Sequence, residues 1–261
     1  MEIKDKKIIV TGGANGIGKE LVKQLLQHGA YVWAVDINDE SLQSLERELH
    51  SERLETFIVD VSNKDSIDIF KEKYINKWEY VDILINNAGI VQPFITTEKL
   101  DDETINRVMN VNFYGPLNLT RAFLNSLRTR EEAYIVNLSS MGGFFPFPKQ
   151  TIYGASKAAL KLFTEGLYAE LLDTSVKVMI VFPGAIATNI LKNSNVELKS
   201  SESSSYKMLS PDKAASIIIK GITKNKFKLF VGSDAKFMKF LYKLNSKSAI
   251  KTINNKMKNI N

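Results

Sequence analysis

The sequence predicts an α/β domain built on a doubly wound parallel sheet, and three observations predict it. Short runs rich in β-branched residues alternate with longer amphipathic stretches, the pattern of repeated βα units. A glycine-rich turn joins the first such run to the first amphipathic stretch. The 261 residues suffice for one large domain of this kind and fall short of two.

The elements follow in order. Residues 7–11 (KIIVT) read as a buried strand, and the helix after the glycine turn runs to about His28, closed by Gly29. Residues 31–36 (YVWAVD) and 41–50 form the second strand and helix, and 54–61 (LETFIVDV) and 66–75 the third pair. The fourth strand is 81–86 (VDILIN), with a long helical stretch over about 102–127 behind it. Residues 134–139 (YIVNLS) and 176–182 (VKVMIVF) make the fifth and sixth strands around a helix over 153–172, and 228–231 a seventh strand. Two stretches break this rhythm. Residues 185–210 are polar and serine-rich, which suits either a surface loop or a lid over a site. Residues 234–261 carry seven lysines and one acid, so the net charge of +6 belongs to this basic extension. Residues 1–233, read as a single domain, are balanced.

Composition excludes several classes of function. There is no cysteine, hence no disulfide framework and no thiolate nucleophile. The two histidines, His28 and His50, close separate helices without ligand spacing, so no metal site is expected. The N-terminus passes from charged residues straight into a strand, unlike a signal peptide, and no run of 18 apolar residues occurs. A cytoplasmic protein is expected.

The turn Thr11-Gly12-Gly13-Ala14-Asn15-Gly16-Ile17-Gly18 stands between strand and helix. Its glycines permit a tight bend and let backbone N–H groups approach a pyrophosphate at the positive helix end, the Rossmann-type arrangement. Asp36 ends the second strand, where a carboxylate accepts from ribose hydroxyls and repels the extra phosphate of NADP. No Arg or Lys stands among Gly13, Ala14, Asn15 or at Ile37 to neutralise that phosphate, so NAD is the expected cofactor. Taken alone, Asp36 would equally suit the start of a turn, since Asn38 and Asp39 follow.

Tyr153 and Lys157 are spaced i, i+4 and share one helical face. An ammonium nearby favours a phenolate, which makes the phenol a usable base. Ser140 ends the fifth strand, and Asn86-Asn87-Ala88-Gly89 closes the fourth, both at the sheet edge where open α/β folds bind ligands. Asn112 sits inside a helical pattern, where Asn is a mediocre helix former; a locally bonded side chain explains it equally well.

The ordered set of motifs resembles the short-chain dehydrogenase/reductase family, over about residues 6–231. It comprises TGGANGIG at Thr11, Asp60-Val61, NNAG at Asn86, VNFYG at Val111, Ser140, YGASK at Tyr153 and PGAIAT at Pro183. The resemblance implies a seven-stranded sheet in the order 3-2-1-4-5-6-7 and hydride transfer between NAD and an alcohol or ketone. It implies Tyr153 as general acid/base and Lys157 as its partner and ribose ligand. Ser140 would hold the substrate oxygen, and Asn112 would support a water-linked proton relay. The implied cofactor contacts are Gly12, Asn15, Gly16, Ile17 and Gly18 at the phosphates, and Asp36, Asp60 and Val61 toward the adenosine. Asn87, Ala88, Gly89, Pro183, Gly184, Ile186 and Thr188 would line the remaining cleft, with Thr188 on the carboxamide.

Met141, Phe144, Phe145 and Phe147, with Val91, Pro93 and Phe94, suit an apolar pocket for a steroid-, retinoid- or fatty-chain-like substrate; packing into the core or a subunit interface is the other reading. No arginine stands out as a carboxylate clamp. Phe237, Phe240, Leu241 and Leu244 form one stripe of the basic extension, offset from Lys236, Lys239, Lys243 and Lys247. A docked helix with solvated lysines, a peripheral membrane contact and a partner-binding helix all fit, while nucleic acid fits poorly. The resemblance implies a homodimer or homotetramer through residues 102–127 and 153–172, where Ala155, Ala158, Ala159 and Gly166 permit close approach. An NAD-binding regulator without turnover is the rival reading. A nucleotide-sugar epimerase shares the Tyr–Lys pair but needs a longer C-terminal domain.

Overall fold

The computed structural model describes residues 1–188, 190 and 208–258. Most of the serine-rich segment therefore lies outside the described residues. Seven parallel strands run β1 (Lys7–Thr11), β2 (Tyr31–Asp36), β3 (Leu54–Ile58), β4 (Ile83–Asn86), β5 (Ala133–Leu138), β6 (Val176–Pro183) and β7 (Lys228–Val231). They lie in the order β3-β2-β1-β4-β5-β6-β7, as the resemblance implied.

Alternation along each strand divides the core into two layers. Ile8, Val10, Val32, Ala34, Ile83 and Ile85 face one layer, covered by α1 (Gly16–Gln27), α2 (Asp39–Leu49) and α7 (Pro211–Thr223). Ile9, Trp33, Val35, Leu84 and Ile135 face the other, covered by α3 (Lys64–Trp78), α5 (Gly115–Arg128) and α6 (Thr151–Glu170). Trp33 centres an aromatic cluster there, its ring 5.6 Å from those of Phe70 and Tyr74 and 5.7 Å from that of Trp78.

Several boundaries differ from the sequence reading, each for a local reason. Helix α2 starts at Asp39 because the Asn38 side chain accepts from Ser41 N, and α3 starts at Lys64 because Asn63 accepts from Asp65 N and Ser66 N. Strand β3 stops at Ile58, which frees Val59, Asp60 and Val61 to turn toward the sheet edge. The stretch predicted as one long helix is α4 (Asp102–Met109), a π-helical turn over Asn110–Tyr114, and α5. A methyl on Gly115 would stand 2.9 Å from Val61 O, so glycine lets this turn press against the strand end. Helix α7 has an apolar face (Ala214, Ala215, Ile218, Ile219, Ile222) that the sequence reading overlooked. The basic extension forms two helices, α8 (Ser233–Leu244) and α9 (Ser246–Lys258).

Candidate active site

The C-terminal ends of β1, β4, β5 and β6 open on one cavity of about 740 Å³. It spans the point where the sheet order reverses between β1 and β4, the general ligand site of such sheets. Gly12, Asn15, Gly16 and Ile17 line one end with Asp36, Asp60 and Val61. Asn87, Ala88 and Gly89 form its middle, and Ser140, Tyr153 and Lys157 the far end with Pro183, Gly184, Ile186 and Thr188. Two sequence-predicted residues stand behind this wall. A methyl on Gly18 would fall 1.9 Å from Gly12 O, so Gly18 packs the turn against its own helix. Asn112 is fully buried one layer back.

The turn is shaped for a phosphate-bearing ligand. Gly12 and Gly16 hold left-handed φ values of 61° and 54°, which leave their backbone N–H groups free of a side chain's bulk. Asn87 donates from Nδ2 to Thr11 O (2.8 Å) and Gly12 O (3.1 Å), tying β4 to the turn. Asp36 accepts from Ala14 N and Asn38 N at 3.2 Å each. Burial pushes its carboxyl above the ordinary value, while those backbone donors and Ile37 pull it back. Asp60 accepts from Ser62 N (2.9 Å) and Ser62 Oγ (2.6 Å) at the cavity edge. A glycine cradle with a half-buried acceptor beside it fits the pyrophosphate and ribose of a dinucleotide.

At the other end, burial raises the Tyr153 phenol above its ordinary value, and a hydrogen bond with the Ser140 side chain pulls it down. Ser140 Oγ also accepts from Gly142 N at 3.0 Å. Lys157 Nζ donates to Leu138 O at 3.0 Å, and burial lowers its ammonium to about 8. A methyl on Gly89 would stand 3.0 Å from Lys157 Nζ and 3.2 Å from Asn112 Oδ1, so glycine leaves room for both groups beside the turn. Asn112 Oδ1 accepts from Ile90 N (2.9 Å), and its Nδ2 donates to Ile90 O (2.9 Å) and Ser156 Oγ (3.0 Å). The π turn aims this carboxamide across the helix toward β4.

The aromatic run after Ser140 divides between cavity and core. Met141 and Phe147 line the cavity with Val91 and Phe94. Phe145 is fully buried against Phe147 and Tyr242, and Phe144 packs edge-on against Phe182 and Phe230. Phe145 thus anchors α8 and Phe144 the ends of β6 and β7, and neither lines the cavity. Pro93 is absent from the cavity lining, and Arg107 and Met257 belong to it although neither was foreseen. Gln92 was also overlooked. It is fully buried, and its Oε1 accepts from Ile152 N (2.7 Å) and Tyr153 N (2.9 Å), capping α6 at the tyrosine. A single Gln after an apolar turn carries no sequence signal of this.

A glycine cradle, a half-buried acceptor and a Ser–Tyr–Lys group in one cleft define a dinucleotide-binding oxidoreductase. The chain belongs to the short chain dehydrogenase family, whose model matches residues 6–199. It is 34% identical over 190 residues to the 3-oxoacyl-acyl-carrier-protein reductase of Thermotoga maritima, covering 72% of this chain and 77% of that one. It is 33% identical over 185 residues to 3beta-hydroxysteroid dehydrogenase 2 of Eggerthella lenta, covering 70% and 71%. Among solved structures, a short-chain dehydrogenase from Burkholderia cenocepacia in complex with NADP superposes with a TM-score of 0.81 at 26% identity, over 97% of this chain and 99% of that one. One from Streptomyces avermitilis does so with 0.83 at 27% identity, over 99% of each.

Proposed function

We propose that this protein is an NAD-dependent oxidoreductase that interconverts an apolar secondary alcohol and its ketone. The observation that carries the reading is the meeting of Ser140, Tyr153 and Lys157 in the same cleft as the glycine turn and Asp36. Both relatives named above are, by their names, a hydroxysteroid dehydrogenase and an oxoacyl reductase. A bound nicotinamide supplies the hydride acceptor or donor. Every other task falls to the chain.

In oxidation the Tyr153 Oη takes the alcohol proton while Ser140 Oγ holds the substrate oxygen; in reduction Tyr153 returns the proton and Ser140 holds the carbonyl oxygen. Lys157 Nζ, fixed by Leu138 O, would hold the ribose of a bound nicotinamide nucleotide, and its charge favours the phenolate. Asn112, bonded to both Ile90 N and Ile90 O, would support a water-linked proton relay to Lys157. Asp36 selects NAD because a 2′-phosphate would face its half-buried carboxylate. Val91, Phe94, Met141 and Phe147 exclude water from the reacting carbon and favour a bulky apolar substrate. The enzyme works in the cytoplasm as a homodimer or homotetramer. Exposed Tyr114, Leu162, Tyr168 and Leu172 form apolar surface around α5 and α6 that suits a second copy.

The test is reduction of NAD and of NADP across a panel of apolar secondary alcohols, with Tyr153→Phe as control. NAD turnover that falls by at least ~10²–10⁴ in the variant is expected, the usual worth of an acid–base group. Turnover that survives the substitution, or none despite NADH binding, would defeat the reading.

A further inference from the structure

The C-terminal helix α8 carries an apolar row on its outer face. Phe237, Phe240 and Leu244 are 58%, 59% and 67% exposed. Such exposure is unusual for three large side chains at helical spacing on one element. The helix is not waiting for a core of its own. Its inner face is already fastened by buried Ala235, by Tyr242 against Phe145, and by Lys239 over the Phe230 ring at 4.2 Å.

Charge surrounds the row with one sign. Lys236, Lys243, Lys247 and Lys251 are exposed. The extension's single acid, Asp234, turns inward and accepts from Ala185 N at 2.6 Å. The rest of the chain carries no net charge, so the molecule's excess positive charge belongs to this extension. Helix α9 folds back from α8, and Met257 near its end lines the cavity. The basic apolar face and the wall of the cleft are thus one hairpin.

We infer that the α8–α9 hairpin docks on an anionic lipid bilayer and takes apolar alcohols or ketones from that bilayer into the cleft beside Met257. This rests on the proposed reading of the cleft as an alcohol/ketone site. An anionic bilayer matches both features of the face: apolar side chains enter the headgroup boundary while flanking lysines meet lipid phosphates. A second copy would bring two lysine-rich faces together.

The experiment uses the full chain with vesicles of phosphatidylcholine alone or with phosphatidylglycerol, and two variants, F237S/F240S/L244S and K236E/K243E/K247E. Flotation should recover the wild type with anionic vesicles, at least ~10-fold less with neutral ones or in 0.5 M salt, and neither variant well. Turnover of a water-soluble alcohol should be the same in wild type and variants. Turnover of a long-chain secondary alcohol dissolved in anionic vesicles should fall several-fold in both variants. Equal recovery with neutral vesicles, no recovery at all, or unchanged vesicle-phase turnover in the variants overturns the inference. So does dissociation of an oligomer by F237S/F240S/L244S in sedimentation, which would make the face a contact between copies. If no alcohol turns over while vesicle binding holds, the catalytic reading fails and the docking stands.

Discussion

Asp36 shows how a single residue carries two tasks. Its carboxylate accepts from Ala14 N in the glycine turn and from Asn38 N at the bend before α2, so the side chain forms the turn and would also carry the proposed ribose contact. Replacing it with alanine removes the charge facing the ribose. Asp36→Ala should weaken the preference for NAD over NADP by ~10–100-fold, since an unfavourable charge contact is worth a few kcal/mol when partly desolvated. The ratio of kcat/KM for the two cofactors measures this, and an unchanged ratio would remove Asp36 from cofactor selection. Ser140, Tyr153 and Lys157 were legible because each motif is compact in sequence. Gln92 was not, because its partners lie about 60 residues away on the first turn of α6.

Elements rather than residues set the geometry of the Ser140–Tyr153–Lys157 group. Helix α6 presents Tyr153 on its first turn, where fraying is greatest and N–H groups lack intrahelical partners. Gln92 satisfies two of them and donates to Lys149 O at 3.0 Å, so the loop after β4 holds the helix end that carries Tyr153. Gln92→Ala should cost about 1–2 kcal/mol of stability, the worth of a lost cap. It should lower kcat far more than it raises KM. Gln92→Glu keeps the acceptor and should restore much of kcat, with the acidic limb of the alcohol-oxidation pH profile, set by ionisation of the phenol, shifted upward by the negative charge added at the start of α6. Equal kcat in wild type and Gln92→Ala would reduce Gln92 to a stability role. At this scale the alternation of strands and helices was readable from hydrophobic period, and the strand order from the family resemblance that the motif order carries; α7 and the division of the basic extension into two helices were not. The break at Asn110–Tyr114 was not, because the apolar spacing runs on through a π turn and only Asn112 marks it.

Across the whole molecule, stability and function meet at Lys157. Burial lowers its ammonium from 10.5 to about 8 in the folded chain. Below about pH 8 both folded and unfolded chains hold the proton, and the desolvation cost is present in full. Between about 8 and 10.5 the unfolded chain binds more protons, so stability rises with pH through this group. Lys157→Met should therefore be more stable than wild type at pH 7, by up to about 3 kcal/mol, and lose that advantage near pH 10. Urea unfolding at the two pH values decides it; a constant difference would contradict the linkage. Such unfolding has a built-in optical reporter. Both tryptophans, Trp33 and Trp78, sit in one aromatic cluster under the α3 layer, and neither lines the cleft. Intrinsic emission will therefore follow collapse of the core and stay nearly silent to occupancy of the cleft, so ligand titrations need the fluorescence of the reduced nicotinamide itself.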